Sequence, residues 1–311
     1  MKLHLVSEED YEDFVKGMND LLFESLEKYE EWKRELSILR AFWARRERRV
    51  ALLGVEDRGE IIGVARLLVV PFYERGKWGE NGELRGELQD IYVSPTYAEQ
   101  VVRQLVKGAE EILSTRGIST FAVSTWFSHV WSGLDKVGMS PYARSVLFYW
   151  DTASEIPLEG NPDVKIRLAG REDLPALRNI QRQSWGLFIP PNFSKQDVLL
   201  AFYRGEAVGS AYLNKYSGNM DFGVHVVRPY QRMRIGTAIL RAALNYYRER
   251  GFKKMFVVRV LRSLSKVNIH DSVALKFYRA CGGRIAREYR GYRWKRVKRR
   301  LKLVDLGEYF S

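Results

Sequence analysis

The sequence contains one cysteine, Cys281, and four histidines, and it lacks any long apolar run. A single cysteine excludes an intramolecular disulfide and a cysteine-cluster metal site. The histidines are scattered without the spacing of metal ligands, and they are His4, His129, His225 and His270. No run of about eighteen apolar residues is present, which excludes a membrane-spanning helix, and the first residues lack the pattern of a signal peptide. These absences predict a cytoplasmic protein without a bound metal or a membrane partner.

Positive charge is in excess, and it lies in the second half of the chain. The net charge is +13. Residues 1–150 contain 20 Lys and Arg against 24 Asp and Glu, whereas residues 151–311 contain 31 against 14. This asymmetry predicts an anionic partner for the second half. A polyanionic cofactor and a nucleic acid both satisfy the charge, so charge alone does not separate them.

The predicted helices and strands follow one order that occurs twice, with a period near 150 residues. Turn signals at Asp57-Arg58-Gly59-Glu60 and at Arg204-Gly205-Glu206 predict one hairpin in each half. Residues 154–163 include Pro157, Gly160, Asn161 and Pro162 and are predicted to be a linker. We therefore predict two domains, residues 1–153 and 164–311. Each is predicted to be α/β, with helices packed on a largely antiparallel sheet.

A strand, a short basic loop and an amphipathic helix follow one another between residues 219 and 250. The helix is predicted to begin at Ile235, and Gly236 would let its backbone approach a ligand closely. The start of a helix presents unpaired N–H groups and a partial positive charge, so it binds phosphate. The predicted contacts are Val226, Val227, Gln231, Arg232, Met233, Arg234, Ile235, Gly236 and Thr237. The alternative is an ordinary strand–loop–helix connection with a solvated basic turn.

Two segments of the second half carry a family resemblance. The first is Val227-Arg228-Pro229 at the strand end, followed by Gln231 and Gly236. The second is Asp271-Ser272-Val273-Ala274-Leu275-Lys276-Phe277-Tyr278 with Gly282 after it. Together they resemble the motifs of the GNAT superfamily of N-acetyltransferases, over residues 164 to about 297. The resemblance implies two tandem GNAT-like domains, acetyl-CoA as the acyl donor and an amine as the acceptor, whose identity it leaves open.

The match departs from the family pattern at two positions. Arg234 stands where the family usually has its first glycine, and Asp271 replaces the usual asparagine. The resemblance still implies that Asp271 contacts the cofactor. In the first half Val93-Ser94-Pro95 repeats the strand end, but no glycine or basic loop follows, and Leu134 occupies the tyrosine position. We expect this half to be a degenerate copy that has lost cofactor binding; the alternative is an unrelated α/β domain.

The resemblance assigns Tyr278 as the general acid for the departing thiolate, and it assigns a backbone N–H near Val227 to the thioester oxygen. The loop Trp185–Phe193 lies where the family places a segment that covers the acceptor. It could equally be a packed loop.

The general base is predicted from alternation along the strand 219–227. Alternation places Phe222, Val224 and Val226 on the core face. It places Asp221, Gly223, His225 and Val227 on the cleft face. His225 is the first candidate because histidine titrates near neutral pH, and Asp221 is the second because burial would have to raise its pKa.

The end of the chain, residues 290–302, combines basic residues with tyrosines and a tryptophan. Such a segment can bind nucleic acid, although no recognised reading motif accompanies it. The alternative function is therefore a non-catalytic binding protein of the same fold, with nucleic acid as a candidate ligand.

Overall fold

The computed structural model describes residues 1–18, 48–71, 73–74, 77–78, 84–118, 120–186, 188–262 and 269–293, and also residues 22, 30, 31, 33 and 35. Its chain divides into two compact units. Among the described residues, the first unit holds 1–144, 262 and 289–293, and the second holds 145–261 and 269–288.

The first unit contains a mixed parallel and antiparallel β-sheet together with α-helices. Its helices are α1 (Glu8–Gly17), α2 (Ala98–Thr115) and α3 (Ser128–Lys136). Its strands are β1 (Lys2–Leu5), β2 (Arg48–Asp57), β3 (Glu60–Pro71), β4 (Tyr73–Glu74), β5 (Lys77–Trp78), β6 (Leu84–Val93) and β7 (Phe121–Thr125). The order β1-β2-β3-β6-β7 is antiparallel except for the parallel pair β6 and β7. The apolar face of α2, including Val101, Leu105 and Leu113, is buried in the core of this unit.

The second unit is built around a four-stranded antiparallel sheet in the order β12-β11-β10-β9. Its strands are β9 (Val164–Leu168), β10 (Gln196–Tyr203), β11 (Glu206–Asn214), β12 (Met220–Val226) and β13 (Lys254–Arg262). Its helices are α4 (Leu174–Trp185), α5 (Ile235–Glu249) and α6 (Ile269–Ala280). One apolar cluster contains the predicted face of α5, including Ile235, Ile239 and Tyr247. A second cluster contains Leu177 and Ile180 of α4, so α5 and α4 bury separate apolar clusters.

Both predicted hairpin turns are confirmed. Arg58 and Gly59 have φ angles of 54° and 87°, and Arg204 and Gly205 have φ angles of 50° and 84°. Two successive positive φ angles are the signature of the tight turn whose twist matches that of paired strands. The repeated Arg-Gly pair therefore sets the register of both hairpins.

Two strands belong partly to each unit, and this differs from the predicted boundary at residues 153–164. They are β8 (Ser140–Asp151) and β14 (Arg284–Arg293). Phe148 and Trp150 of β8 lie in the core of the second unit. Tyr292 of β14 lies in the core of the first unit, where residues 290–293 pair antiparallel with β7. Alternation in a sequence shows that a segment is a strand, but it does not show which sheet the strand joins.

Candidate active site

A bulge in β12 re-aims the side chains of this strand. Tyr212 pairs with Asp221 and Ala211 pairs with Val224, so two residues of β12 have no counterpart in β11. These residues, Phe222 and Gly223, have φ angles of 64° and 78°. A bulge of this kind bends a strand and is frequent beside active sites.

The bulge makes the predicted faces of β12 partly wrong. Val224 and Val226 pack into the cluster that contains α5, as predicted. Phe222, which was predicted to share their face, packs instead with Val227 in the cluster that contains α4. Gly223, which was predicted to share the face of Val227, is directed elsewhere, because a β-carbon on it would point at the Tyr278 hydroxyl. Strict alternation fails here because the two residues with positive φ break the pleat.

One edge of β12 is open beyond its first residues. Among the described residues, the only β-bridge to β13 on this side lies just before β12, where Asn219 pairs in parallel with Phe256. Farther along, the backbone N–H of Val224 donates to the Tyr278 hydroxyl, with 3.1 Å between N and Oη. Because successive residues of a strand direct their N–H groups to opposite edges, the N–H of Val226 points to the same open edge as that of Val224.

The N–H of Val227 is already used within the sheet. It donates to the carbonyl of Val208 at 2.9 Å. Of the N–H groups near Val227 that the resemblance offers for the thioester oxygen, the one of Val227 itself is therefore occupied, and the one of Val226 lies at the open edge.

Tyr278 is enclosed by aromatic rings. Its ring centroid lies 5.6 Å from that of Phe148, 5.8 Å from that of Trp150 and 5.1 Å from that of Phe277. Burial raises the pKa of the Tyr278 hydroxyl, while the nearby charge of Arg259 and the Val224 N–H oppose that rise. The hydroxyl is therefore protonated at neutral pH. Its oxygen accepts from Val224, and among the described residues its own proton has no hydrogen-bond acceptor.

The loop before α5 has the backbone geometry of an anion site. Arg232 and Arg234 have φ angles of 66° and 57°, and Met233 between them does not have a positive φ. Such alternation turns successive N–H groups toward one side of the chain. No side chain caps the helix at Arg234, and its first backbone bond runs from the N–H of Ala238 to the carbonyl of Arg234. The N–H groups at positions 235–237 precede that bond, so they lack acceptors within the helix.

Two other loop residues have defined contacts. Gln231 donates through Nε2 to the carbonyl of Val226 at 3.1 Å. A β-carbon on Gly236 would lie 3.3 Å from Cζ of Phe277 and 3.7 Å from Cγ1 of Val224. Gly236 therefore faces α6 and β12 at the open edge of the strand.

Sequence and structure comparisons identify the family. The model of the acetyltransferase (GNAT) family matches residues 16–129 and 170–282, which together exceed half of the chain. The chain belongs to the GNAT acetyltransferase family. The two matched regions correspond to two tandem copies of the GNAT fold. No curated protein matches the sequence significantly.

Several solved GNAT structures share the fold. A GCN5-related N-acetyltransferase from Sphaerobacter thermophilus has a TM-score of 0.56 and 17% identity, with 79% of this chain and 80% of that chain covered. A glucosamine N-acetyltransferase region of a fungal multi-domain β-N-acetylglucosaminidase has a TM-score of 0.61 and 15% identity. The match covers 94% of this chain and 38% of the fungal chain. A tandem GNAT protein from the clavulanic acid biosynthesis pathway has a TM-score of 0.50 and 12% identity, with 81% and 84% covered.

The first base candidate, His225, lies under α4 of this second GNAT copy. Its Nδ1 is 3.1 Å from Oγ of Ser184, and the side chain is almost fully buried. Burial, helped by the charge of Arg259, lowers the pKa of His225 to about 4. The imidazole is thus neutral at pH 7 and can accept a proton, but its pKa lies well below the near-neutral range for which it was predicted as the base.

The second candidate, Asp221, is held by two side-chain amides. Its carboxylate accepts from Nε2 of Gln196 and, at 2.7 Å, from Nδ2 of Asn219. Asp271 lies in the first turn of α6. Sequence reasoning missed Arg259 of β13, whose charge acts on both His225 and Tyr278. The available signal for Arg259 was a basic residue within the otherwise apolar run 255–261, which lies between the two family motifs.

The first GNAT copy lacks the loop geometry. A 3₁₀ turn, Pro95–Tyr97, leads directly into α2, whose first residue Ala98 is buried. Between positions 91 and 116, all of them described, no residue has a positive φ. Nε2 of His129 lies 3.1 Å from the carbonyl of Val93, and the ring of Phe127 lies 5.8 Å from that of Tyr92. Side chains of this unit thus occupy the end of β6.

The basic end of the chain lies largely outside the described residues. Of its described part, Arg290 stacks on Trp131, with 3.8 Å from Cζ to the ring centroid. In the part of the chain that is described, no helix is long and apolar enough to cross a membrane.

Proposed function

We propose that the second GNAT copy transfers an acetyl group from acetyl-CoA directly to a primary amine. The observation that carries this proposal is the loop at residues 232–237, where two positive φ angles precede an uncapped helix start. Those backbone donors and the guanidinium groups of Arg232 and Arg234 fit the pyrophosphate of CoA in charge and in hydrogen-bonding type.

The proposed roles of the reacting groups rest on the geometry around β12. Acetyl-CoA supplies a thioester whose carbonyl carbon an amine can attack. In this scheme the N–H of Val226, at the open edge of β12, donates to the carbonyl oxygen. Tyr278 holds its hydroxyl proton at neutral pH. In the same scheme it donates this proton to the thiolate sulfur. His225 accepts the amine proton in this scheme, with Ser184 beside it, and Asp221 is the second candidate.

The first GNAT copy is proposed to bind no CoA. Its helix start lacks residues with positive φ, and its strand end is occupied by Phe127 and His129. The non-catalytic alternative keeps CoA binding in the second copy without turnover. Nucleic-acid binding is not supported by the family or by the solved structures that share the fold.

Calorimetric titration of the full chain with CoA tests the proposal. We expect one binding site per chain, and affinity that falls when Arg232 and Arg234 are both replaced by Gln. Arg228→Gln is the matched control, because Arg228 lies in the turn before the loop. Absence of binding by the wild type would refute the proposal.

A panel of amines, screened with acetyl-CoA for release of thiol, then tests catalysis. Release with at least one amine supports the transferase. CoA binding without release from any amine would favour the non-catalytic alternative.

A further inference from the structure

The segment between the two regions matched by the family model packs on the start of α5. A β-carbon on Gly160 would lie 2.8 Å from Cα of Ala238, so only glycine permits this approach. Nη1 of Arg241 donates to the carbonyl of Leu158 at 3.1 Å. Residues 158–161, predicted to be a plain linker, therefore lie against the first turns of the helix that follows the phosphate loop.

Asn161 holds the two loop carbonyls that precede α5. Its side-chain Nδ2 donates to the carbonyl of Met233 at 2.9 Å, and its backbone N–H donates to the carbonyl of Arg234 at 3.3 Å. Its Oδ1 accepts from the N–H of Asp163 at 2.9 Å, which fixes the side chain in a local turn.

These contacts determine where the loop N–H groups point. In a trans peptide the C=O and the N–H of one peptide unit point in opposite directions, and the described chain has no cis peptide. The carbonyl of Met233 shares its peptide unit with the N–H of Arg234, and the carbonyl of Arg234 shares its unit with the N–H of Ile235. The Met233 carbonyl accepts from the Asn161 side chain, and the Arg234 carbonyl accepts from both the Asn161 backbone and the N–H of Ala238. The N–H groups of Arg234 and Ile235 are therefore directed away from these donors.

We infer that Asn161 is a positioning residue whose side chain, through the Met233 carbonyl, orients the N–H of Arg234 for the pyrophosphate of CoA, while its backbone N–H supports the helix in orienting that of Ile235. It also supports Arg234 in a left-handed conformation that is costly for a residue other than glycine. The inference rests on the proposed function, because it requires that the loop binds CoA.

The test compares two variants at this position with one control in the full chain. Asn161→Ala removes both side-chain contacts. Asn161→Asp keeps the acceptor for Asp163 and removes only the donor to Met233. Asn214→Ala is the control, because Asn214 accepts from the N–H groups of Tyr216 and Ser217 in a turn of the same kind.

Calorimetry with CoA and thermal unfolding of the ligand-free protein give the two readouts. Loss of the hydrogen bond from the Asn161 side chain to the Met233 carbonyl should weaken CoA binding by about five- to tenfold in both Asn161 variants. The melting temperature should fall by no more than about 4 °C in all three variants. Asn214→Ala should bind CoA as the wild type does, since its turn does not touch the loop. Because Asp adds a negative charge, its binding is also measured at high salt, where repulsion is screened.

The outcomes separate this inference from the proposed function. If the wild type binds CoA and Asn161→Ala binds it equally well, Asn161 does not position the loop. Equal losses of affinity in Asn161→Ala and Asn214→Ala would assign the effect to general destabilisation and overturn the inference. Absence of binding by the wild type refutes the proposed function itself.

Discussion

At the scale of single residues, Arg234 occupies a backbone conformation that favours glycine. Its φ is 57°, whereas Arg228 in the preceding turn does not have a positive φ. A left-handed residue with a β-carbon costs about 1–2 kcal/mol, and glycine gives back part of that through its greater freedom when unfolded. This explains why the family usually has glycine here.

We predict that Arg234→Gly raises the free energy of unfolding of the ligand-free protein by about 0.5–1 kcal/mol. Arg228→Gly should lower it by a similar amount, because glycine adds freedom to the unfolded chain without relieving strain. Urea denaturation of both variants is the measurement. A loss of stability in both would contradict the strain argument.

The hydroxyl of Tyr278 is predicted to contribute to turnover rather than to cofactor affinity. Tyr278→Phe keeps the aromatic packing and removes one proton donor. With an amine found in the screen, kcat should fall by about 10²-fold or more, while the Kd for CoA changes little. Tyr246→Phe is the control, since it also removes a buried hydroxyl, which donates to Asp197.

Stability must be measured alongside turnover, because Tyr278→Phe leaves the Val224 N–H without this acceptor. Full turnover by a folded Tyr278→Phe protein would show that the hydroxyl only supports the bulge.

The pKa of His225 predicts a loss of stability in mild acid. The folded pKa is lowered to about 4 from 6.5. The unfolded chain therefore takes up a proton at higher pH than the folded chain does. The stability is fully present above pH 6.5 and is lost as the pH falls from there toward 4.

Between pH 7 and pH 5 this group should cost about 2 kcal/mol. His225→Asn retains a polar atom near Ser184 and does not titrate, so its stability should fall less steeply over the same range. Urea denaturation at both pH values checks this. Parallel pH dependence in the two proteins would show that His225 is not buried in its neutral form.

At the scale of elements, the bulge in β12 decides the arrangement of the site. Gly223 has a φ of 78°, and a β-carbon there would lie 2.4 Å from the Tyr278 hydroxyl oxygen. Gly251, which follows α5, has a φ of 75° but no neighbour within 4 Å of such a β-carbon. The two glycines therefore share a backbone conformation that would strain any other residue, and they differ in their surroundings.

We predict that Gly251→Ala costs about 1 kcal/mol of stability, from strain alone. Gly223→Ala should cost at least about 2 kcal/mol, because Tyr278 must move as well. Its displacement should also lower turnover. Equal costs for both variants would mean that the bulge and α6 are not closely packed.

At the scale of the whole molecule, the distribution of β8 and β14 predicts that the chain cannot be cut at the linker. A fragment of residues 1–153 lacks Tyr292, which is fully buried in the first unit. A fragment of residues 154–311 lacks Phe148 and Trp150, which are buried in the second. Losing a large aromatic core side chain costs about 3–5 kcal/mol, which is comparable with the whole stability of many domains.

Neither fragment should show cooperative unfolding by circular dichroism. A better version of the first unit joins residues 1–144 to residues 284–293 through a flexible linker, and it should regain a cooperative transition. Cooperative unfolding of the plain fragment 1–153 would contradict the division of the strands.

Sequence alone determined the features that depend on neighbours along the chain. The Arg-Gly pairs set two hairpins, and the apolar period of residues 235–247 set the buried face of α5. The Val-x-Pro segment and the basic loop identified the family. Each of these follows from local backbone preference or from side chains a few positions apart.

Only the tertiary structure decided the features that depend on partners far away in the chain. The bulge placed Phe222 and Gly223 on faces other than those predicted, and the sheet used the N–H of Val227, which left that of Val226 at the open edge. Asn161 met the loop about 70 residues later in sequence, and the Tyr278 hydroxyl met Val224. A sequence pattern shows which groups can bond, whereas the choice among distant partners is made by packing of the whole core.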